Sequence, residues 1–424
     1  MKSSKTFLYK KKDLFPRAVY RNLGVLMFIG FILRIVATEV FLAGLDGGYQ
    51  SDEGTYVSLA THIVQGLGFT DKNGTPISYP LPGLPLLLAT PISVIGPKVA
   101  VLRMFMVVIG LLLIPACYLL SRSLTGSQKV GWIAAAIAVF LPTWVIYSGR
   151  IFTDIPTTVL VTLMVWMLIE GYRRQSLLWI AGAGILWGTA TLTRAVCLVY
   201  TPGIILWLLL IMPGWKRRLA AVVAMIVPCA CILAPWSMRN TYVYGTFILI
   251  SAAEGSGLYR ANNPGATGID ALDHSPYEEA LSRRYPKDQY PNDEAINKLL
   301  QADAVKFIRE NPWRFAQLCS IRFIQFWKFY SPRVPLSHSL VILMSFGVAL
   351  PFFLMQVIRL GWRRGPEMLF LFIILCHTGF HTVYSANVRY RMTIEPLIII
   401  MAITGFCWTL GRLRYGYGSG QSVH

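Results

Sequence analysis

Ten apolar windows of about 20 residues each are threaded along this 424-residue chain, and no single soluble core has room for that many. They lie near Asn22–Phe41, Val99–Leu120, Val130–Tyr147, Ile155–Tyr172, Leu177–Thr193, Cys197–Met212, Leu219–Trp236, Leu336–Ile358, Met368–Tyr384 and Ile394–Leu410. A further piece, Leu84–Ile95, is too short for a standard crossing and reads as re-entrant, interfacial or a short tilted span. Only 14% of residues are charged, against about a quarter in soluble domains. The pattern predicts an all-α polytopic membrane protein, a bundle of about 10–11 spans with short helices in its outer loops.

The charges then orient the bundle. Lys10, Lys11, Lys12, Arg17 and Arg21 precede the first window, Arg122 and Lys129 follow the second, and Arg173-Arg174 follow the fourth. Lys216-Arg217-Arg218, Arg359 with Arg363-Arg364, and Arg412 with Arg414 continue on alternate loops. Basic residues mark the cytosolic side, so both termini are expected inside a bacterial-type cell membrane. Three regions follow: residues 1–236, an N-terminal transmembrane module with outer loops 44–83 and 148–154; residues 237–335, an extracytoplasmic region; and residues 336–424, C-terminal spans. The net charge of +19 would suggest nucleic acid in a soluble protein, but its clustering between apolar runs points to orientation instead. The apolar N-terminal stretch is full span length and lacks a small-residue cleavage site, unlike a cleaved signal.

Within the long outer region, Ser275-x-x-Glu278 reads as a capping box. Asp293–Glu310 has helical periodicity and is stopped by Asn311-Pro312. Trp313–Tyr330 alternates aromatic and basic residues, as a helix lying among lipid headgroups would, with its cations on lipid phosphates. The seven cysteines offer no readable disulfide pair, and Cys229-x-Cys231, in an apolar run, reads as core packing. His62 reads as a satisfied histidine rather than a ligand.

Acidic residues are few, and two groups fall on the expected outer face: Asp52-Glu53, heading a helical pattern through Tyr56, and Asp154. Ionisable groups at a membrane surface are functional candidates; the plain alternative for the pair is helix capping. Arg150, Arg194 and the run Arg389-Tyr390-Arg391 share that face, where the orientation rule disfavours arginine. Such a cluster suits an anionic ligand, since Arg grips phosphate through two parallel hydrogen bonds. Snorkelling to lipid headgroups is the alternative for any one of them.

These residues resemble a known group. D-E-x-x-Y-x-x-x-A-x-x-I-x-x-G-x-G-F from Asp52, followed by a Pro-rich turn at Tyr79–Pro85, is similar to the first outer loop of GT-C-type glycosyltransferases. R-x-x-x-T-D-x-P at Arg150–Pro156 resembles their second acidic loop; N-P-W-R-F at Asn311–Phe315 and R-Y-R-M-T-I-E-P at Arg389–Pro396 resemble later elements. The similarity is greatest to glycosyltransferase family 39, with its protein mannosyltransferases and aminoarabinose transferases. The resemblance implies transfer of a sugar from a polyprenyl-phosphate donor to a protein, lipid or glycan hydroxyl at the extracytoplasmic face, usually with inversion.

On that expectation Asp52 is the general base, Glu53 a second carboxylate beside it, and Asp154 with Arg150 the opposite wall of the site. Tyr56, Arg194, Arg389, Tyr390 and Arg391 bind substrate, the last three in an extended turn that lets both arginines reach one phosphate. No cofactor is required, because a phosphate leaves without one and the acids and histidines lack ligand spacing; a divalent cation stays open. A transporter or flippase of a phosphate-bearing lipid is the competing reading. It would place charge near the bilayer midplane, whereas only Arg34 lies deep in a window.

Overall fold

The computed structural model describes residues 17–42, 52–252, 254–269, 293–329, 336–361 and 365–416. Among them it is helical, with turns and one bridge pair, Thr70 with Pro76. The first half comprises α1 (Arg17–Leu42), α2 (Asp52–Val64), α3 (Gly83–Ile95), α4 (Val99–Leu111), α5 (Leu113–Thr125), α6 (Gln128–Phe140), α7 (Pro142–Ser148), α8 (Asp154–Arg174) and α9 (Leu177–Thr193). A 3-10 helix, Ala195–Tyr200, leads to α10 (Thr201–Ile211), α11 (Trp215–Tyr244) and α12 (Glu254–Ala261). Then come α13 (Asp293–Glu310), α14 (Pro312–Trp327), α15 (Leu336–Ile342), α16 (Ala349–Leu360) and α17 (Glu367–Val383). A second 3-10 helix, Val388–Ile394, runs into α18 (Glu395–Gly416).

Six stretches are long and apolar enough to span a bilayer: Val19–Phe41, Val99–Thr125, Asp154–Arg174, Trp215–Tyr244, Ser339–Leu360 and Val388–Leu410. The α6–α7 pair makes a seventh if taken as one span, bent by 54° where Pro142 starts the second piece and removes a backbone donor. Four shorter apolar helices complete the set. Every window read from sequence, and the Leu84–Ile95 piece, falls on one of these elements. Chain breaks set two of the ends: α9 stops at the expected Thr193 because Arg194 is extended, and the α4–α5 stretch runs past the expected Leu120 until Gly126 closes it in the left-handed region at φ 71°.

Depth within the bundle separates the helices. Some 72% of the apolar window of α8 is buried by protein, against 22% for α1. α8 is therefore the central post, with Asp154 in its first turn and Arg173 and Arg174 in its last, a charge order that suits the helix dipole. The main core packs α5, α6, α8, α9, α11, α17 and α18 together. A smaller cluster, including Val57, Leu84, Leu88, Leu102 and Ile151, seats α2 and α3 against α4 and the 150–153 loop.

Some expectations change. α13 has the expected bounds, but Asn311-Pro312 starts a second helix as well as ending the first. α14 presents Trp313 and Phe323 outward, yet Arg322 is buried. Its guanidinium donates to the carbonyls of Val383 and Ala261 and to Asn262 Oδ1, so it closes the ends of α12 and α17 rather than meeting lipid phosphate. Cys229 is buried but Cys231 is exposed, so packing accounts for the first alone. His62 Nδ1 faces the Thr70 carbonyl at 3.0 Å and is satisfied as expected. The Ser275–Glu278 capping box, residues 44–51 and Tyr330 lie outside the described residues.

Candidate active site

α2 begins at Asp52, so its first turn carries two carboxylates where the helix dipole favours them. One turn direction separates their fates. Asp52 is exposed, whereas Glu53 is fully buried. Glu53 Oε2 lies 3.4 Å from Arg103 Nη2, and its Oε1 accepts from the Ile151 backbone N–H at 3.1 Å. Glu53 thus ties α2 to α4 and to the loop that precedes Asp154. Breaking a buried ion pair leaves an uncompensated charge, which costs about 3–5 kcal/mol. Glu53→Ala is expected to lower the thermal midpoint in detergent sharply, with lost activity tracking lost fold; an unchanged midpoint contradicts the tether.

Asp154 is buried at the top of α8. The break after α9 turns Arg194 sideways, and its Nη1 donates to Asp154 Oδ1 at 2.6 Å. Asp154 Oδ2 lies 3.4 Å from Arg389 Nε, an ion pair without hydrogen-bond geometry. Arg389 also lies over the rings of Phe152, at 4.7 Å, and Tyr390, at 5.8 Å. Arg194 lies 5.1 Å from the Tyr390 ring. Asp154 is therefore a buried anchor for two cations, and the aromatic faces hold those cations flat. Tyr56 borders the group. Burial pushes its hydroxyl well above its ordinary value, Tyr79, Asp52 and Asp154 add to the rise, and Arg194 opposes it. Tyr56 therefore stays protonated, a hydrogen-bond donor within electrostatic reach of both acids.

Arg391 departs from the expectation. The 388–394 turn is a 3-10 helix rather than extended, so residues two apart do not project together. Arg391 points inward, with its side chain 1% exposed. It donates to the Phe326 and Lys328 carbonyls, lies 3.5 Å from Glu395, and covers the Phe346 ring. Glu395 in turn accepts from Trp144 Nε1 at 3.1 Å and Thr143 Oγ1 at 3.4 Å. The two arginines cannot share one phosphate in this geometry. Arg150, half-buried, sits in the loop beside the Glu53-bound Ile151 amide.

The structure thus gathers Asp52, Tyr56, Asp154, Arg194, Arg389 and Tyr390 at one end of the bundle and turns Glu53 and Arg391 into ties. Sequence reasoning missed Phe152, Arg103 and Glu395. Glu395 had a signal, four residues after Arg391 on a helical face; Phe152 and Arg103 had none. Among the described residues no three His, Cys, Asp or Glu side chains are placed to hold a metal ion.

Residues 78–238, which include Asp154 and Arg194, match the family model described as dolichyl-phosphate-mannose-protein mannosyltransferase. Among solved structures, the oligosaccharyltransferase AglB from Archaeoglobus fulgidus, in complex with an inhibitory peptide and a dolichol-phosphate, is similar over 96% of this chain and 52% of its own, at 14% identity and a TM-score of 0.59. The apo form of the Archaeoglobus fulgidus oligosaccharyltransferase matches over 97% of this chain and 54% of its own, at 15% identity and a TM-score of 0.60. The chain has the GT-C fold. It spans about half the length of those archaeal structures, and at such identity the likeness is one of GT-C architecture. ArnT from Cupriavidus metallidurans, in the apo state, matches at 14% identity over 92% of this chain and 76% of its own, with a TM-score of 0.44. Compared with curated proteins, the chain has no significant match. The GT-C architecture read from the Asp52 and Asp154 loops thus agrees with both the family model and the fold.

Proposed function

We propose that this protein is an inverting membrane glycosyltransferase that moves a sugar from a polyprenyl-phosphate donor to an acceptor hydroxyl at the extracytoplasmic face. The observation that carries the reading is the exposed Asp52 carboxylate, which shares Tyr56 as an electrostatic neighbour with the buried Asp154 and with Arg194, while Asp154 itself pairs with Arg194 and Arg389. AglB, similar in fold, is solved with a dolichol-phosphate, which supports a lipid phosphate here.

In this mechanism Asp52 accepts the proton of the acceptor hydroxyl as its oxygen bonds to the anomeric carbon, and the bond from that carbon to the phosphate oxygen breaks on the opposite face. The leaving phosphate gains negative charge, so groups aimed at it stabilise the transition state more than the ground state. Arg389 suits that role, because its side chain is 27% exposed and its guanidinium makes no hydrogen bond among the described residues. Arg194, hydrogen-bonded to Asp154, supplies the fixed charge beside it. Asp154 keeps both arginines from repelling each other before the donor arrives. Arg34 does not support a transport path, because Ser148 Oγ, Gly30 O and Ala138 O accept its hydrogen bonds inside the bundle.

The test is turnover in detergent with polyprenyl-phosphate sugars and a panel of protein, lipid and glycan acceptors. Release of polyprenyl phosphate coupled to acceptor glycosylation is expected, with opposite anomeric configuration in the product. Activity that needs a sealed vesicle and leaves the donor intact would instead identify a transporter.

A further inference from the structure

α17 is mostly apolar and carries two histidines four residues apart, His377 and His381, on one face. Both are buried, at 0% and 6% exposure. If only volume mattered there, Leu or Phe would fill the space without burying polar nitrogens. Their contacts show what the polarity does. His377 Nε2 lies 2.9 Å from the Tyr390 carbonyl, and a carbonyl only accepts, so Nε2 carries the hydrogen. Nδ1 is then the acceptor, and the Tyr200 hydroxyl donates to it at 2.8 Å. His381 Nδ1 likewise donates to the Ser385 carbonyl at 2.7 Å. The His381 ring stacks on the Tyr390 ring, centroids 4.9 Å apart and planes 21° from parallel.

Tyr390 is therefore held at two points, its carbonyl by His377 and its ring by His381. That ring is the surface against which Arg194 and Arg389 lie. Tyr200 ends the 3-10 helix that Arg194 starts. The contacts close a circuit from Arg194 through Tyr200, His377 and Tyr390 back to Arg194. We infer that His377 and His381 are positioning residues that hold Tyr390 and thereby set Arg194 and Arg389 against Asp154. The inference rests on the proposed reading that these arginines receive the leaving phosphate.

His377→Phe removes the hydrogen bond to Tyr390 and fills the space; His377→Gln keeps a donor near the Nε2 position. A catalytic group displaced by about 1 Å loses about 10²-fold in rate. His377→Phe is therefore expected to lose about tenfold to a hundredfold of kcat, and His377→Gln to recover most of it at matched thermal midpoint. Tyr200→Phe, which frees the imidazole to change tautomer, is expected to lose severalfold. Binding of undecaprenyl phosphate in detergent micelles is measured alongside and weakens in the same order. Equal kcat in the Phe and Gln variants, either both active or both dead, overturns the inference while the wild type's activity keeps the functional reading. Should His377→Phe not fold, an unchanged Tyr200→Phe overturns it. A wild type that neither binds undecaprenyl phosphate nor turns over overturns the reading, and the inference with it.

Discussion

Asp52→Asn loses about 10²–10⁴ of turnover, the usual contribution of a general base, with thermal midpoint and detergent behaviour unchanged. Two observations lead there. A base must meet the acceptor hydroxyl, and of Asp52, Glu53 and Asp154 only Asp52 is exposed. Glu53 is committed to Arg103 and the Ile151 amide, and Asp154 faces Arg194 and Arg389 with both oxygens. Buried, with both oxygens turned to guanidinium groups, Asp154 has no oxygen placed to meet an incoming acceptor hydroxyl. Asn preserves size and polarity at an exposed helix start, so the fold has no reason to suffer. The measurement is single-turnover transfer with the lipid-linked donor. Near-normal turnover by Asp52→Asn assigns the proton to another group and removes Asp52 from the chemistry.

Much of this arrangement is legible in the sequence, for identifiable reasons. Span positions follow from apolar run length, which the bilayer sets directly. α13 has a readable end because Pro312 offers no backbone donor and suits a helix's first turn, so the chain stops one helix at Asn311 and starts the next. Asp154 stands out because a carboxylate so near an apolar run needs a partner, and it has two. What sequence could not show is direction. Asp52 and Glu53 are adjacent and chemically alike, yet a helical step of about 100° sends one to the surface and the other into Arg103. Arg389 and Arg391 are separated by the same kind of rotation, which only the 3-10 helix reveals. Arg322 resembles a headgroup-binding cation until three buried acceptors at the ends of α12 and α17 come within its reach.

That difference in direction gives Arg389 and Arg391 opposite fates under the same substitution. Arg389→Ala is expected to lose about 10²–10³ of kcat, as removal of one charge-stabilising donor does, with little change in thermal midpoint since its side chain is 27% exposed. Arg389→Lys should recover only part, because an ammonium keeps the charge but not the planar pair of donors or the fit over the Phe152 ring. Arg391→Ala instead strips the cation from Glu395, which is buried with Trp144 and Thr143 as its remaining partners. It also frees the Phe326 and Lys328 carbonyls at the end of α14. About 3–5 kcal/mol of stability is at stake there, so the midpoint should fall steeply while the folded fraction retains most of its transfer rate. Arg391→Lys keeps the charge beside Glu395 but not the planar fork that also reaches the two carbonyls, and should recover only part of the midpoint. Thermal unfolding and single-turnover rates on the four variants separate the two roles. If Arg391→Ala keeps its midpoint and loses rate, Arg391 belongs to the phosphate after all, and the turn must open when the donor binds.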